Sequence, residues 1–298
     1  VNVPWTRASG DAIGAGWLEE ALAPVAELGR RARRESRAFR RGDEEAARGA
    51  LSAVARAAAA LDAPTLATLR AALAGAPDPG DIVARALAGT VLSDVDFFEL
   101  TRFLDALGAL GEAAGTSLAG IVAIPVADAH LAATLAPGRT PARSFYLSDA
   151  FDEELSLARG LAAAAQANYD GARGNLEARA ATALGLEHLR EGEFVVMRDA
   201  LNGPLPPEVR VLHEASTYLL CELSLDEFAF AALAERDRAA TYVATAEDGV
   251  RARLSVAVRA AAEDLRRARH ELGALDEFLA RVAFAQRFEA VAPEIVDD

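Results

Sequence analysis

Lysine is absent from the 298 residues: arginine supplies all 31 of the Lys and Arg positions. That excludes a phosphate loop of the GxxxxGK[ST] type, a Schiff-base enzyme and a catalytic lysine, because each needs the amine. Cysteine occurs once, at Cys221, which excludes an internal disulfide framework and a cysteine-based zinc site. Four histidines (His130, His188, His213 and His270) leave little for metal chemistry, and His130 and His188 have no partner at ligand spacing. The adjacent carboxylates Glu153-Glu154 and Asp297-Asp298 face different ways on a helix, so neither is an acid/base pair. The sequence implies no cofactor and no metal, and it argues against an enzyme. It has no run of about 18 apolar residues, the minimum for a membrane-spanning helix. The stretch 1–16 lacks the basic-then-apolar pattern of a signal peptide. The expectation is a cytoplasmic protein without a membrane segment.

What is present favours helix. Alanine, leucine, arginine and glutamate dominate. The length gives a prior of about two domains, and the net charge is −14. Residues 17–62 read as helices, with Trp17, Leu18, Leu22, Val25 and Leu28 as an apolar stripe and Asp43 placed to cap a helix after Gly42. Thr65 to Leu73 is a short helix. Ser93 precedes Asp94-Val95-Asp96 at capping-box spacing and opens an amphipathic helix carrying Phe97, Leu100, Phe103, Leu104 and Leu107.

Two longer patterns follow. Phe151, Leu155, Ala158, Ala162, Ala165, Tyr169, Ala172, Leu176, Ala180 and Ala183 recur at spacings of three and four, which predicts a coiled-coil-like helix over 149–189, about 60 Å long. A second seam runs from Val243 through Val250, Leu254, Val258, Leu265 and Leu272 to Val282. Between them lie three β-rich runs, Phe194–Met197, Val209–Leu212 and Thr217–Leu223, separated by turn signals. The reading is mainly α: a helical core, two long antiparallel lever helices forming a stalk, and a small antiparallel β clamp at its tip.

This order, with these residues, resembles the MutS mismatch-repair family, in its core or lever domain with the inserted clamp. Leu92–Leu104 looks like a helix of the first half of the lever domain. Phe145-Tyr146-Leu147-Ser148-Asp149, followed by Leu155 and Arg159, looks like the start of the descending lever helix. Arg253-Leu254-Ser255 looks like the returning one, and Leu275–Phe284 with Ala292-Pro293-Glu294-Ile295 like the end of the core. The resemblance implies a tail over 1–16, a lever base over 17–148 and a descending lever over 149–189. It further implies a clamp over 190–224, a returning lever and core helix over 225–290, and a tail over 291–298. The mismatch-reading and ATPase domains are missing from these residues. Phe97-Phe98-Glu99 matches the family's Phe-x-Glu by chance, because Phe97 lies on the apolar side of its helix.

The family clamp implies phosphate contacts by Arg190, Arg198 and Arg210, with His213 beside them. Against this, residues 185–230 hold nine carboxylates and three arginines, a charge of −6, where a grip on duplex DNA needs positive charge. A second candidate is the run of seven arginines over 30–41, in which Arg30, Arg34, Arg37 and Arg41 would share one helical face toward an anionic partner. Arg266, Arg267, Arg269 and His270 form a weaker cluster. Three functions stay open. The chain is a non-catalytic lever and clamp of a mismatch-repair-type assembly, binding DNA or coupling conformations to an ATPase elsewhere, with a homodimer possible. It is a MutS-related partner of an adenosylcobalamin-dependent aminomutase. Or it is a fragment of a longer MutS-like ATPase.

Overall fold

A computed structural model describes residues 12, 14–141, 144–189, 192–201 and 203–295. The fold is mainly helical with a small three-stranded antiparallel sheet. Two compact units divide it: one draws on 1–147 and 251–298, and the other, 148–250, is inserted between those stretches in the sequence.

The first unit contains α1 (Ala15–Ala21), α2 (Glu27–Glu35), α3 (Glu44–Ala60), α4 (Ala63–Gly75), α5 (Gly80–Leu87), α6 (Asp94–Ala114), α7 (Ala129–Leu135) and, near the chain's end, α10 (Ala262–Phe288). Helix α10 is the hub, packing against α2, α3, α4 and α5. Its stripe of Leu265, Ala268, Leu272, Leu275, Leu279 and Val282 is buried, at the spacing of a helix face. Beside that stripe Asp276 is also fully buried. Its Oδ1 accepts the Val25 amide at 3.0 Å and its Oδ2 the Ala26 amide at 2.7 Å. These two amides lead into α2, whose own N-cap, Ala26, offers no side-chain acceptor. A carboxylate 250 residues away therefore anchors the entry of α2.

Two glycines let the helices come this close. A Cβ on Gly29 would lie 2.1 Å from Asp276 Oδ2, and one on Gly273 would lie 2.8 Å from the Leu28 carbonyl oxygen. Burial pushes the Asp276 carboxyl above its usual range, against the opposing pull of the Ala26 and Val25 amides and the Arg70 and Arg30 charges.

The capping box at Ser93 forms as the spacing predicts. Ser93 Oγ accepts the Asp96 amide at 3.3 Å, and Asp96 Oδ2 accepts the Ser93 amide at 2.9 Å. Arg85 adds a two-toothed ion pair to the same carboxylate. Phe97, Leu100, Phe103, Leu104 and Leu107 are all buried. The Phe97 ring packs 5.3 Å from that of Phe145, so it is a core residue. The last turns of α9 (Glu227–Ala260) join this region: Ser255 Oγ accepts the buried Leu92 amide at 2.8 Å, and Arg251 pairs with Asp94 at 2.9 Å.

The N-terminal reading needs two corrections. Asp43 does sit at the N-cap of α3, but its carboxylate turns back to the Arg40 amide at 2.9 Å and does not cap the helix. The stripe from Trp17 to Leu28 is split, because α1 stops at Ala21 and α2 starts at Glu27. Leu28 is buried, whereas Trp17 is 56% exposed and rests edge-on against Phe284 and Phe288.

The second unit holds α8 (Glu153–Leu184), strands β1 (Glu193–Met197), β2 (Val209–Glu214) and β3 (Tyr218–Leu223), and the first part of α9. Helix α8 is shorter than the expected 149–189. A single 3-10 turn occupies Asp149–Phe151, and the Asp152 carboxylate then accepts the Glu154 amide at 2.7 Å. The helix stops where Gly185 takes a left-handed φ of 68°. Its 32 residues span about 48 Å. Leu155, Ala158, Ala165, Ala172, Leu176 and Ala180 are buried as the seam predicts, but Ala183 is exposed and Leu184 takes its place.

Within this unit α8 and α9 run antiparallel. Arg159 pairs with Glu247 at 2.9 Å, the Arg236 guanidinium lies 4.9 Å from the Tyr169 ring centre, and Leu176 packs with Ala229. The returning stretch comprises two helices, α9 and α10. It breaks at Ala261, where nothing in the structure explains the interruption, although the buried stripe of Val258, Ala261 and Leu265 carries on across it.

Two predictions follow from these contacts. Gly29→Ala forces the Asp276 carboxylate away and should destabilise the fold by about 1–3 kcal/mol. Asp276→Asn should cost a similar amount, about 1–3 kcal/mol, because one of its two acceptors becomes an NH₂ facing a backbone N–H. Urea unfolding measures both. For pH, burial raises the Asp96 carboxyl, but Arg85 and Ser93 outweigh that and leave it below its usual range. Its stabilisation is present above the ordinary carboxyl value of 3.8 and is lost as pH falls through the lowered folded value. Asp96→Asn should therefore lower stability at neutral pH and flatten the acid limb of the stability curve. Asp276 acts with the opposite sign: its contribution is fullest below 3.8 and declines as pH rises through its raised folded value.

Candidate functional site

The clamp candidates sit on the sheet of the second unit. Strand order is β1-β3-β2, so β3 is central and both neighbours are antiparallel. Alternation along the strands gives the sheet two unlike faces. Phe194, Val196, Val209, Leu219 and Cys221 form the inner face and pack on Ala180 and Leu184 at the C-terminal end of α8. Cys221 is fully buried, and burial pushes its thiol above the usual range, so it is a small core residue.

The register fixes what the outer face carries. Met197 pairs with Tyr218, Val195 with Leu220, and Glu193 with Glu222 across β1 and β3. Arg210 pairs with Glu222, and His213 with Leu220, across β2 and β3, with a bulge at Leu212 between Val211 and His213. Val195 and Met197 are each about half exposed. The outer face is thus an apolar patch with a glutamate-rich border.

The arginines of this unit are engaged locally. Arg210 pairs with Glu222 across the strands. Arg198 donates from Nε to the Ala215 carbonyl at 2.9 Å and pairs with Glu214 at 2.9 Å. His213 is exposed at the strand's end. Arg190 lies outside the described residues. The structure places Arg210 and His213 on β2 and Arg198 in the 3-10 turn just after β1, but each of these arginines already faces a carboxylate, which leaves little positive potential for a phosphate backbone.

The basic stretch is not the helical face that its spacing suggested. Helix α2 ends at Glu35, and Ser36 is extended, so Arg37 and Arg41 lie outside it. Continuing the helix would stack Arg30, Arg34, Arg37 and Arg41 as like charges three and four residues apart. Within the helix, Arg30 and Arg34 both pair with Glu27 at 2.8 Å, and Arg31 pairs with Glu35 at 2.9 Å. In the later cluster Arg266, Arg267 and Arg269 pair with Glu263, Asp264 and Asp78.

Among the described residues no cluster of three or more His, Cys, Asp or Glu side chains could hold a metal ion. No described helix is long and apolar enough to cross a membrane. One feature escaped the sequence reading: a cavity of about 670 Å³ in the first unit, lined by α3, α10 and residues 290–295. Its signal was the run of small residues on α3, which reads equally well as a packed face. No family model matches the chain, and no curated protein matches its sequence.

The pairing makes a direct prediction. Arg198→Gln and Arg210→Gln each break an exposed ion pair and should change stability by no more than about 1 kcal/mol. Cys221 should resist a thiol reagent in the native chain and react only on unfolding. Its modification rate against denaturant concentration measures this.

Proposed function

We propose that this chain is a non-catalytic lever and clamp of the MutS kind, working as a conformational coupling module that engages a protein more readily than DNA. The observation that carries the reading is the insertion itself. One chain leaves a helical unit through α8, builds the sheet, and returns through α9 beside α8. Two long helices that brace each other by side-chain contacts transmit displacement with little loss, because packed elements shift as bodies. The narrow alanine and leucine seam supports a coiled-coil stalk. The protein preference rests on charge: Arg198 and Arg210 are already paired, and the segment around them is acidic. An aminomutase-type partner fits this preference, as does a separate ATPase subunit.

Two experiments test the proposal. In fluorescence anisotropy, labelled homoduplex, mismatched and branched DNA should show no binding at about 50 or about 200 mM salt. Binding that weakens steeply with salt and is lost in the Arg198→Gln/Arg210→Gln double variant would overturn the protein preference in favour of a DNA clamp. In pulsed electron resonance, nitroxides on cysteines introduced at the exposed Asn168 and Arg238 should give one narrow distance, as a stiff helix pair requires. A broad distribution would sink the lever.

A further inference from the structure

The cavity of about 670 Å³ in the first unit has walls of two kinds. Ala50, Leu51 and Val54 of α3 face Phe284 of α10 and make an apolar slot. Among the described residues its polar lining holds three charged side chains, Arg33, Glu277 and Arg281. Glu277 and Arg281 pair with each other one turn apart at 2.8 Å and cancel. Arg33 is half-buried, and its guanidinium donates to the Leu22 carbonyl. Among the described residues it has no carboxylate at ion-pair distance. The lining thus carries a net charge of +1 within a chain of −14. A half-buried guanidinium beside an apolar wall, held by a carbonyl and facing no carboxylate among the described residues, favours an anion at the same place.

Size and chemistry agree on a ligand. Small-molecule sites are mostly apolar clefts of roughly 300–1,000 Å³ with a few polar groups that fix orientation. A guanidinium with N–H donors to spare takes a carboxylate through charge-assisted hydrogen bonds. We propose that this cavity binds an amphipathic carboxylate, its apolar body between α3 and α10 and its carboxylate on Arg33. The site is distinct from the sheet and does not depend on the lever and clamp reading.

The protein contains its own reporter. Trp17 meets Phe284, which lines the cavity, edge-on at 6.3 Å and Phe288 edge-on at 5.3 Å. Of the chain's two tryptophans, the other is Trp5. In a Trp5→Phe background, Trp17 fluorescence is titrated with dodecanoate, dodecanol and dodecyltrimethylammonium, each below its micelle concentration. Dodecanoate should bind at least about tenfold tighter than dodecanol, and the cationic probe should bind weakest. Arg33→Gln should bring dodecanoate to the level of dodecanol. Ala50→Phe, which fills the slot and leaves Arg33 in place, should weaken both, and circular dichroism melts check that each variant is folded. Equal affinity for dodecanoate and dodecanol in the parent would overturn the proposal, as would no binding or binding that Ala50→Phe leaves unchanged.

Discussion

The first unit depends on how α2 meets α10. Asp276 is buried with both oxygens committed to the Val25 and Ala26 amides. Gly29 and Gly273 supply the space that brings those amides within reach. A buried carboxylate is tolerated only where its hydrogen bonds are made, and each lost partner leaves a desolvated group behind. The clasp joins residues some 250 positions apart, so it forms only after the inserted unit's chain has been traversed. It also sets the cavity, because α2 carries Arg33 and α10 carries Phe284 and Arg281.

The inserted unit follows a different logic. Its three-stranded sheet needs its apolar face covered, and Ala180 and Leu184 from the end of α8 complete that core. Small residues keep the helix pair narrow, while longer polar side chains tie it from outside: Arg159 to Glu247 near one end, and Arg179 to Asp226 near the other. Arginine without lysine suits this design. A planar guanidinium reaches across a helix pair or between strands and holds a carboxylate with direction. In an acidic chain that habit draws many of the described arginines into ion pairs, and the outer face of the sheet is a patch of Val195, Met197, Tyr218 and Leu220 with an acidic border.

Local chemistry was legible in the sequence. The Ser93 box, the buried face of α6, the three strands and most positions of both seams rest on spacings within a few residues of each other and appear near where those spacings put them, though Ala183 is exposed. What failed was either a competition between local signals or a long-range contact. Asp43 had two amides to choose from and took that of Arg40. The arginine run had helical spacing, but the helix ends at Glu35 and Ser36 is extended, which leaves Arg37 and Arg41 off it. Asp276 reads as a surface residue between Leu275 and Glu277, because nothing nearby announces amides 250 residues away. The available hint was Gly29 and Gly273, since a glycine inside a helix costs about 1 kcal/mol against alanine and needs a packing reason. Of the candidate site, the presence of three antiparallel strands was legible, while their order and register came only with the structure. The pairing of Arg198 and Arg210 was not, because it needed the cross-strand partners.

If the α2–α10 clasp organises the first unit, the Val25 and Ala26 amides must be among its best protected, although they lie just before a nine-residue helix. Native-state hydrogen exchange measures this directly. The account predicts that both amides exchange only with the global opening of the unit, together with the core amides of α10 around Leu275 and Leu279. Exchange of Val25 and Ala26 at loop-like rates, while α10 stays protected, would contradict it.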